Sequence, residues 1–438
     1  MQIGRLLGRI VKGCVECLTT EGGCETFSFN KIFVYTRIFT SPKDRLCIPR
    51  QLLTMNNTKM RSILTLSHAI LFFASCLAFA QPAFQAQIEV TFPLSASESC
   101  EKLFSENRLE RARSVLSTMG CPPQGEGKEA SFDCFAEDIS YSDGNVIANG
   151  KSDVIKVFRN ILSPSFTTSW AVKVLEEFCD ESEYIATFEM NATMANGNVR
   201  NAPGISFIEF DEKNEDKVVR WRDYLSELKA YDYIPLVKNL LKRKKVCLLG
   251  DEGCGNITPQ SSLENVSSDY EEKSALPNEI SSSCSKYFTS ERLRVARSIV
   301  QCNAGDPEDC MQNFADEIVY TDGNFVAENK SFVSTVFKNM FQSNFASSWS
   351  ISIVREVCTS DGAYIPRWSV DAALTNEALK SAPGASLIKF ASDDEDKATF
   401  QQDYLPELKI YGKTPVLGPI LTNYSATLAK CLTSDEGC

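Results

Sequence analysis

Tyr141, Asp143, Glu189, Trp221 and Asp223 are the side chains on which this sequence could run acid–base chemistry, and Tyr320, Arg367 and Asp403 recur further along. The choice is narrow because the one histidine is His68, inside an apolar stretch near the start. Downstream of it, serine–histidine and cysteine–histidine nucleophiles are excluded, as are zinc sites that need imidazole. Proton transfer falls to carboxylates, tyrosines or lysines. No metal or cofactor is expected. Each candidate also has a plainer reading. Asp143-Gly144 is turn chemistry. Glu189 lies in the alternating run Thr187–Asn191, where one face is buried and the other wet. Tyr141 and Tyr320 suit a sheet interior, and the pairs Tyr141/Tyr320 and Asp223/Asp403 could tie a sheet to a helix.

What must position these residues is a repeated unit. CLLGDEGC at Cys247–Cys254 returns as CLTSDEGC at Cys431–Cys438. Sliding the chain by roughly 180 residues aligns ISYSDGNVIANGKSDVIKVFRNIL with IVYTDGNFVAENKSFVSTVFKNMF, NAPGISFIEF with SAPGASLIKF, and RDYLSELKAY with QDYLPELKIY. Each copy has the length of a domain, far beyond a solenoid repeat. The expected domains are residues 100–254 and 284–438, joined by a Ser/Asn/Glu-rich flexible linker at 255–283.

The 17 cysteines support the duplication. Five precede the first copy, and the rest divide six and six: Cys100, Cys121, Cys134, Cys179, Cys247, Cys254, then Cys284, Cys302, Cys310, Cys358, Cys431, Cys438. Matched even sets predict disulfides within each copy and an oxidising compartment. Connectivity stays open: Cys247 could close a small loop with Cys254, or the tail could be stapled back to Cys100.

Residues 60–80 have the charged start, apolar middle and small-residue end of a secretory signal, which predicts cleavage before Gln81. Residues 1–59 read as a gene-model extension or unstructured leader, and 81–99 as a short N-terminal segment. The rival reading of the apolar stretch, a membrane anchor, has the shortest length that spans. Ten basic and four acidic residues precede Gln81, so the remainder carries a formal net charge of −18. That surface repels phosphate backbones, so no nucleic-acid partner is expected. The basic run Lys242–Lys245 is expected in the last turn of a helix, where cations suit the dipole. Asn191, Asn256, Asn265, Asn329 and Asn423 begin glycosylation tripeptides, in keeping with export.

Within the first copy, helical spacing runs from Cys100 to Met119, over Ser152–Leu162 and over Leu236–Val246. Cys134 onward reads as a helix end, a short strand and a turn. Strand patterns cover Ser169–Phe178, Tyr184–Met194, Gly204–Asp211 and Lys217–Tyr224. This is an α+β pattern. It predicts a strongly bent antiparallel sheet with about three helices on its concave side and a pocket between them.

Tyr141-Ser-Asp-Gly144, a helix opening with Lys151-Ser152, and a late strand ending Trp221-Arg222-Asp223-Tyr224 resemble the SnoaL-like domains of the nuclear transport factor 2-like superfamily, in both copies. The resemblance implies a cone-shaped fold. Its members include polyketide cyclases, ketosteroid isomerase, limonene epoxide hydrolase and many proteins without catalysis, so fold alone does not give function. The epoxide-hydrolase likeness would make Asp223 an acid, Tyr141 a hydrogen-bond donor and Glu189 the carboxylate partner. It also requires an arginine linking the acids, where this chain has Thr187. The second copy has Arg367 and Asp403 but Ser369 and Gln401 in place of Glu189 and Trp221, so neither copy holds the full set.

The expectation is a secreted, disulfide-stabilised tandem protein, without catalysis, that holds a small apolar molecule. Trp170, Phe188 and Trp221 would line the first cone, and Tyr320, Arg367 and Asp403 the second. The alternatives are a cyclase, isomerase or hydrolase using Asp223 and Tyr141, and a structural extracellular protein with filled cones. The two copies are expected to pair with each other as the family's homodimers do.

Overall fold

The computed structural model describes residues 87–93, 97–122, 131–163, 165–194, 197–214, 217–231, 234–249, 276–277, 279–302, 307–340, 346–374, 378–391, 396–405, 407 and 418–435. The expected leader and signal, nearly all of the linker, Cys254, Cys438, Asn256 and Asn265 lie outside the described residues, as does the side chain of Cys247.

The first half begins with strand β1 (Gln87–Thr91) and helices α1 (Glu98–Leu103) and α2 (Glu106–Thr118). The sequence reads as one helix here. Ser105 divides it, because its hydroxyl accepts the Arg108 N–H and caps a new start. Strands β2 (Phe135–Ser142) and β3 (Ile147–Asn149) precede helix α3 (Lys151–Ile161). Cys134 sits in a turn rather than at a helix end. A meander follows: β4 (Thr167–Cys179), β5 (Glu183–Met194), β6 (Gly197–Phe210) and β7 (Val218–Leu225), then helices α4 (Glu227–Ala230) and α5 (Pro235–Leu249).

The second half repeats the plan. Helices α6 (Ser282–Tyr287), α7 (Ser290–Val300) and α8 (Pro307–Met311) lead to β8 (Phe314–Thr321), β9 (Val326–Glu328) and α9 (Lys330–Met340). Strands β10 (Ala346–Cys358), β11 (Ala363–Leu374), β12 (Ala378–Phe390) and β13 (Ala398–Tyr404) and helix α10 (Gly418–Thr433) complete it.

Each half is an α+β unit with one sheet. The strand orders are β1-β4-β5-β6-β7-β2-β3 and β10-β11-β12-β13-β8-β9. The sheets are mixed rather than wholly antiparallel. β2 returns across the helices to lie parallel to β7, β8 does the same with β13, and β1 adds a parallel edge beside β4.

Among the described residues, four disulfides close within one half: Cys100–Cys179 and Cys284–Cys358 pin a helix to a strand, and Cys121–Cys134 and Cys302–Cys310 close short local loops. Pairing of Cys100 with Cys179 rules out the tail staple to Cys100. A buried carboxylate reinforces each first bridge. Glu177 accepts from Arg113 on α2 (2.8 Å) and from Tyr184 (2.6 Å), and Glu356 accepts from Arg297 and Tyr364 (both 2.9 Å).

Both faces of the central strands are buried, for different reasons. On β6, Ile208 joins the helix-covered core, while Ile205 and Phe207 face the other way. There they meet Phe178, Ile185, Ile365, Leu387 and Tyr404 in a core between the two sheets. Charges cross this seam. Glu183, fully buried, lies 2.9 Å from Arg367 of the second half and 3.6 Å from Arg355. The Arg367 contact is off the hydrogen-bond axis for both atoms. Lys389 reaches Glu176 at 2.5 Å.

The closing helices cross over. Leu248 of α5 belongs to the core of the second half, and Leu432 of α10 to the core of the first. An asparagine in each receiving helix caps the visitor. Asn160 donates to the carbonyls of Leu432 (2.8 Å) and Ser434 (3.0 Å), and Asn339 to that of Leu248 (3.0 Å). Each half therefore lacks its own last helix and is completed by the other's.

Candidate functional site

On the helix-covered face, adjacent strands bring Ala186, Ser206 and Asp223 into register, and Tyr141 lies beside Trp221 on β2. Asp223 is the hub. Its Oδ1 accepts from Trp221 Nε1 (2.7 Å) and from the Ser206 hydroxyl in a very short bond. The Tyr141 hydroxyl donates to its Oδ2 at 3.2 Å, with Asp143 as a longer alternative at 3.4 Å. Asp143 spends its other oxygen on the backbone N–H groups of Asn145 (3.0 Å) and Val146 (2.8 Å), which is turn chemistry.

The second half builds the same hub with a different donor. Asp403 accepts from Ser386 (2.7 Å), Tyr320 (3.1 Å) and the Gln401 amide (3.0 Å). The indole has moved to β11, where Trp368 donates to Ser386 at 2.9 Å. Trp221/Phe188 in one half thus becomes Gln401/Trp368 in the other, with the carboxylate supplied either way.

Burial pushes the Asp223 carboxyl up to about 7, against the opposing pull of Ser206 and Trp221. It also raises Asp143 and Asp403, and lifts the Tyr141 and Tyr320 hydroxyls well above the usual tyrosine range. The two hubs differ in access: Asp223 is half-buried, Asp403 buried.

Aromatic rings pack closely beside the first hub. Tyr141, Phe158 and Trp221 meet edge-on or tilted at 4.9–5.7 Å, and Phe188 and Trp221 are buried core residues. Phe188 lies over Gly204, and Trp368 over Gly384, so closely that a methyl on either glycine would collide with the ring. Gly204→Ala should therefore lower stability by ~1–3 kcal/mol. Denaturant unfolding should show the loss partly restored by adding Phe188→Leu.

Several expected residues are elsewhere. Glu189 lies on the opposite face from Phe188 and so away from Asp223, because alternation along β5 sends neighbours to opposite sides. Arg367 points into the inter-sheet seam, over the Phe207 ring, rather than toward Asp403. Neither acid–arginine–acid set assembles. Trp170 is half-buried against the first core, alongside Ile88 of β1. Asn191, Asn329 and Asn423 are at least partly exposed. Among the described residues, no group of acids or sulfurs could hold a metal ion.

Four participants went unread in the sequence. Ser206 and Ser386 were visible as the one hydroxyl kept inside an apolar strand in both copies. Glu407 and Lys244 were not paired. Lys244 lies within α5 rather than in its last turn, and its ammonium sits 2.5 Å from both Asp322 and Glu407, buried in the second half. The first half has Leu428 at the corresponding place and packs it against its core.

No family profile and no curated protein matches the chain. Solved structures similar to parts of it include SnoaL-like, nuclear transport factor 2-like and ketosteroid isomerase-like folds. An LEH-like epoxide hydrolase of M. tuberculosis is 13% identical over 32% of this chain and 98% of its own, with a TM-score of 0.25. A protein of ketosteroid isomerase-like fold from Catenulispora acidiphila, bound to trimethylamine, is 14% identical over 28% and 92%, with a TM-score of 0.24. A protein described as a SnoaL-like polyketide cyclase from Shewanella denitrificans is 10% identical over 28% and 97%, with a TM-score of 0.25.

Proposed function

We propose that the chain is a secreted, non-catalytic binding protein whose two cones are solid cores and whose recognition takes place on its outer surface. One observation carries this reading: both inward carboxylates accept on both oxygens from donors of the chain itself, and aromatic rings pack beside each of them. A general acid needs a lone pair or proton turned toward substrate. Export is supported by four disulfides, which persist in oxidising compartments. Among the described residues no helix is long and apolar enough to cross a membrane.

A second reading, a carboxylate-driven isomerase, cyclase or hydrolase, is favoured by the half-exposed Asp223 with its pKa near neutrality. Native mass spectrometry of the protein secreted by its own source separates the two. The first reading expects no retained apolar molecule. An apolar molecule held in the core, or turnover lost in a well-folded Asp223→Asn chain, overturns it.

A further inference from the structure

We propose that a groove on the outside of the first half binds a small organic molecule carrying a carboxylate or sulfate, and that Asp435 is its built-in competitor. The groove holds about 560 Å³ along α3, with Asp435 among its lining residues. Lys151, Lys156 and Arg159 line it together with Glu137, which holds Lys151 at 3.3 Å and leaves Lys156 and Arg159 as the cations nearest Ile155 and the tail. Ile155 supplies an apolar wall.

Three observations converge on an anion. First, a carboxylate already sits there: Asp435 lies 2.7 Å from Lys156, and that ammonium holds its carboxyl below the usual range. The Asp435 side chain is 89% exposed, so the pair is weak and exchangeable. Asn160 delivers it, since the same asparagine that caps α10 holds the carbonyl of Ser434 next to it. Second, the Arg159 guanidinium lies over the Phe132 ring at 5.7 Å, and among the described residues no carboxylate pairs with it. A planar fork on an aromatic floor fits a flat oxyanion. Third, the second half repeats the arrangement only in part: Lys330 and Lys338 stand at the places of Lys151 and Arg159, but the central pair is lost. Thr335 replaces Lys156 and turns its hydroxyl back to the carbonyl of Ser331 at 3.2 Å, and Ser334 replaces Ile155. The chain beyond Ala80 carries a formal net charge of −18, so this cluster of cations is local and its attraction is steep in salt.

The inference deepens the outer-surface reading, but its test does not touch Asp223, so either can fail alone. The full-length protein is titrated at low salt with sodium benzoate and, in a separate arm, with phenyl sulfate, by calorimetry or NMR shifts. Saturable one-to-one binding is expected for at least one probe, and the better arm names the head group. Asp435→Asn should tighten it roughly two- to five-fold, the effect of removing one exposed ion pair that competes for Lys156. Lys156→Met with Arg159→Met should abolish it. Unchanged or weaker binding in Asp435→Asn, or binding that survives the double substitution, overturns the proposal, and so does binding of neither probe.

Discussion

At about pH 8.5 the Asp223→Asn chain should unfold at a higher denaturant concentration than the parent, and near pH 4 the two should coincide. The sign follows from the raised carboxyl. In the unfolded chain the aspartate titrates at its ordinary value, near 4. In the folded chain it holds its proton until about 7. Between those values the folded state binds the extra proton, so the parent loses stability as pH rises through the window and levels off above it. Every tenfold difference in proton affinity between the two states corresponds to ~1.4 kcal/mol. Partial hydration of this half-buried group trims the total, so the expected gain at high pH is about 1–3 kcal/mol. The asparagine keeps an oxygen for Ser206 and Trp221 and turns its amide toward the Tyr141 oxygen, so geometry is preserved. Equal stability of the two chains at both pH values would show that Asp223 ionises freely and that the hub is more open than its packing implies.

Lys244→Met should cost more. The ammonium bridges Asp322 and Glu407, both essentially buried, and Glu407 is held further by the Leu228 N–H (2.9 Å) and the Asn324 amide (2.7 Å). Removing the one cation from such a cluster typically costs ~3–5 kcal/mol, because the remaining charges stay desolvated. Burial already raises the Glu407 carboxyl against the pull of Lys244. Without the lysine that acid takes up its proton more readily, so the penalty should shrink as pH falls. Adding Glu407→Gln should restore part of the loss at neutral pH. Denaturant midpoints of the three chains at two pH values check this, and a penalty below ~1 kcal/mol in the single variant would mean that the lysine is not the neutralising partner.

The strands of the meander were legible because alternation and β-branched content mark them whatever they pack against, and the matched cysteines marked the bridges. Tyr141 and Asp223 were legible as a pair through the family resemblance and through the repeat, which kept Tyr320 with Asp403. Glu189 misled because period-two alternation separates two faces but does not say which is wet. Here the face opposite the helices is buried against a second sheet, as Ile185 and Thr187 record. The destination of α5 and α10 was hidden for a related reason. Apolar spacing in Leu236–Val246 shows that one side is covered, and nothing local distinguishes its own sheet from its neighbour's. Lys244 was the one local hint: a lysine flanked by Leu241 and Leu248 needs a buried acid, and that acid lies 163 residues away.

The crossed helices set an order of events during synthesis. A ribosome releases the first sheet long before it makes Leu432, so the nascent first half must wait, its hydrophobic interior one helix short, until almost the whole polypeptide has emerged. A premature stop just ahead of Gly418 would therefore strip a core helix from the half made first rather than from the one made last.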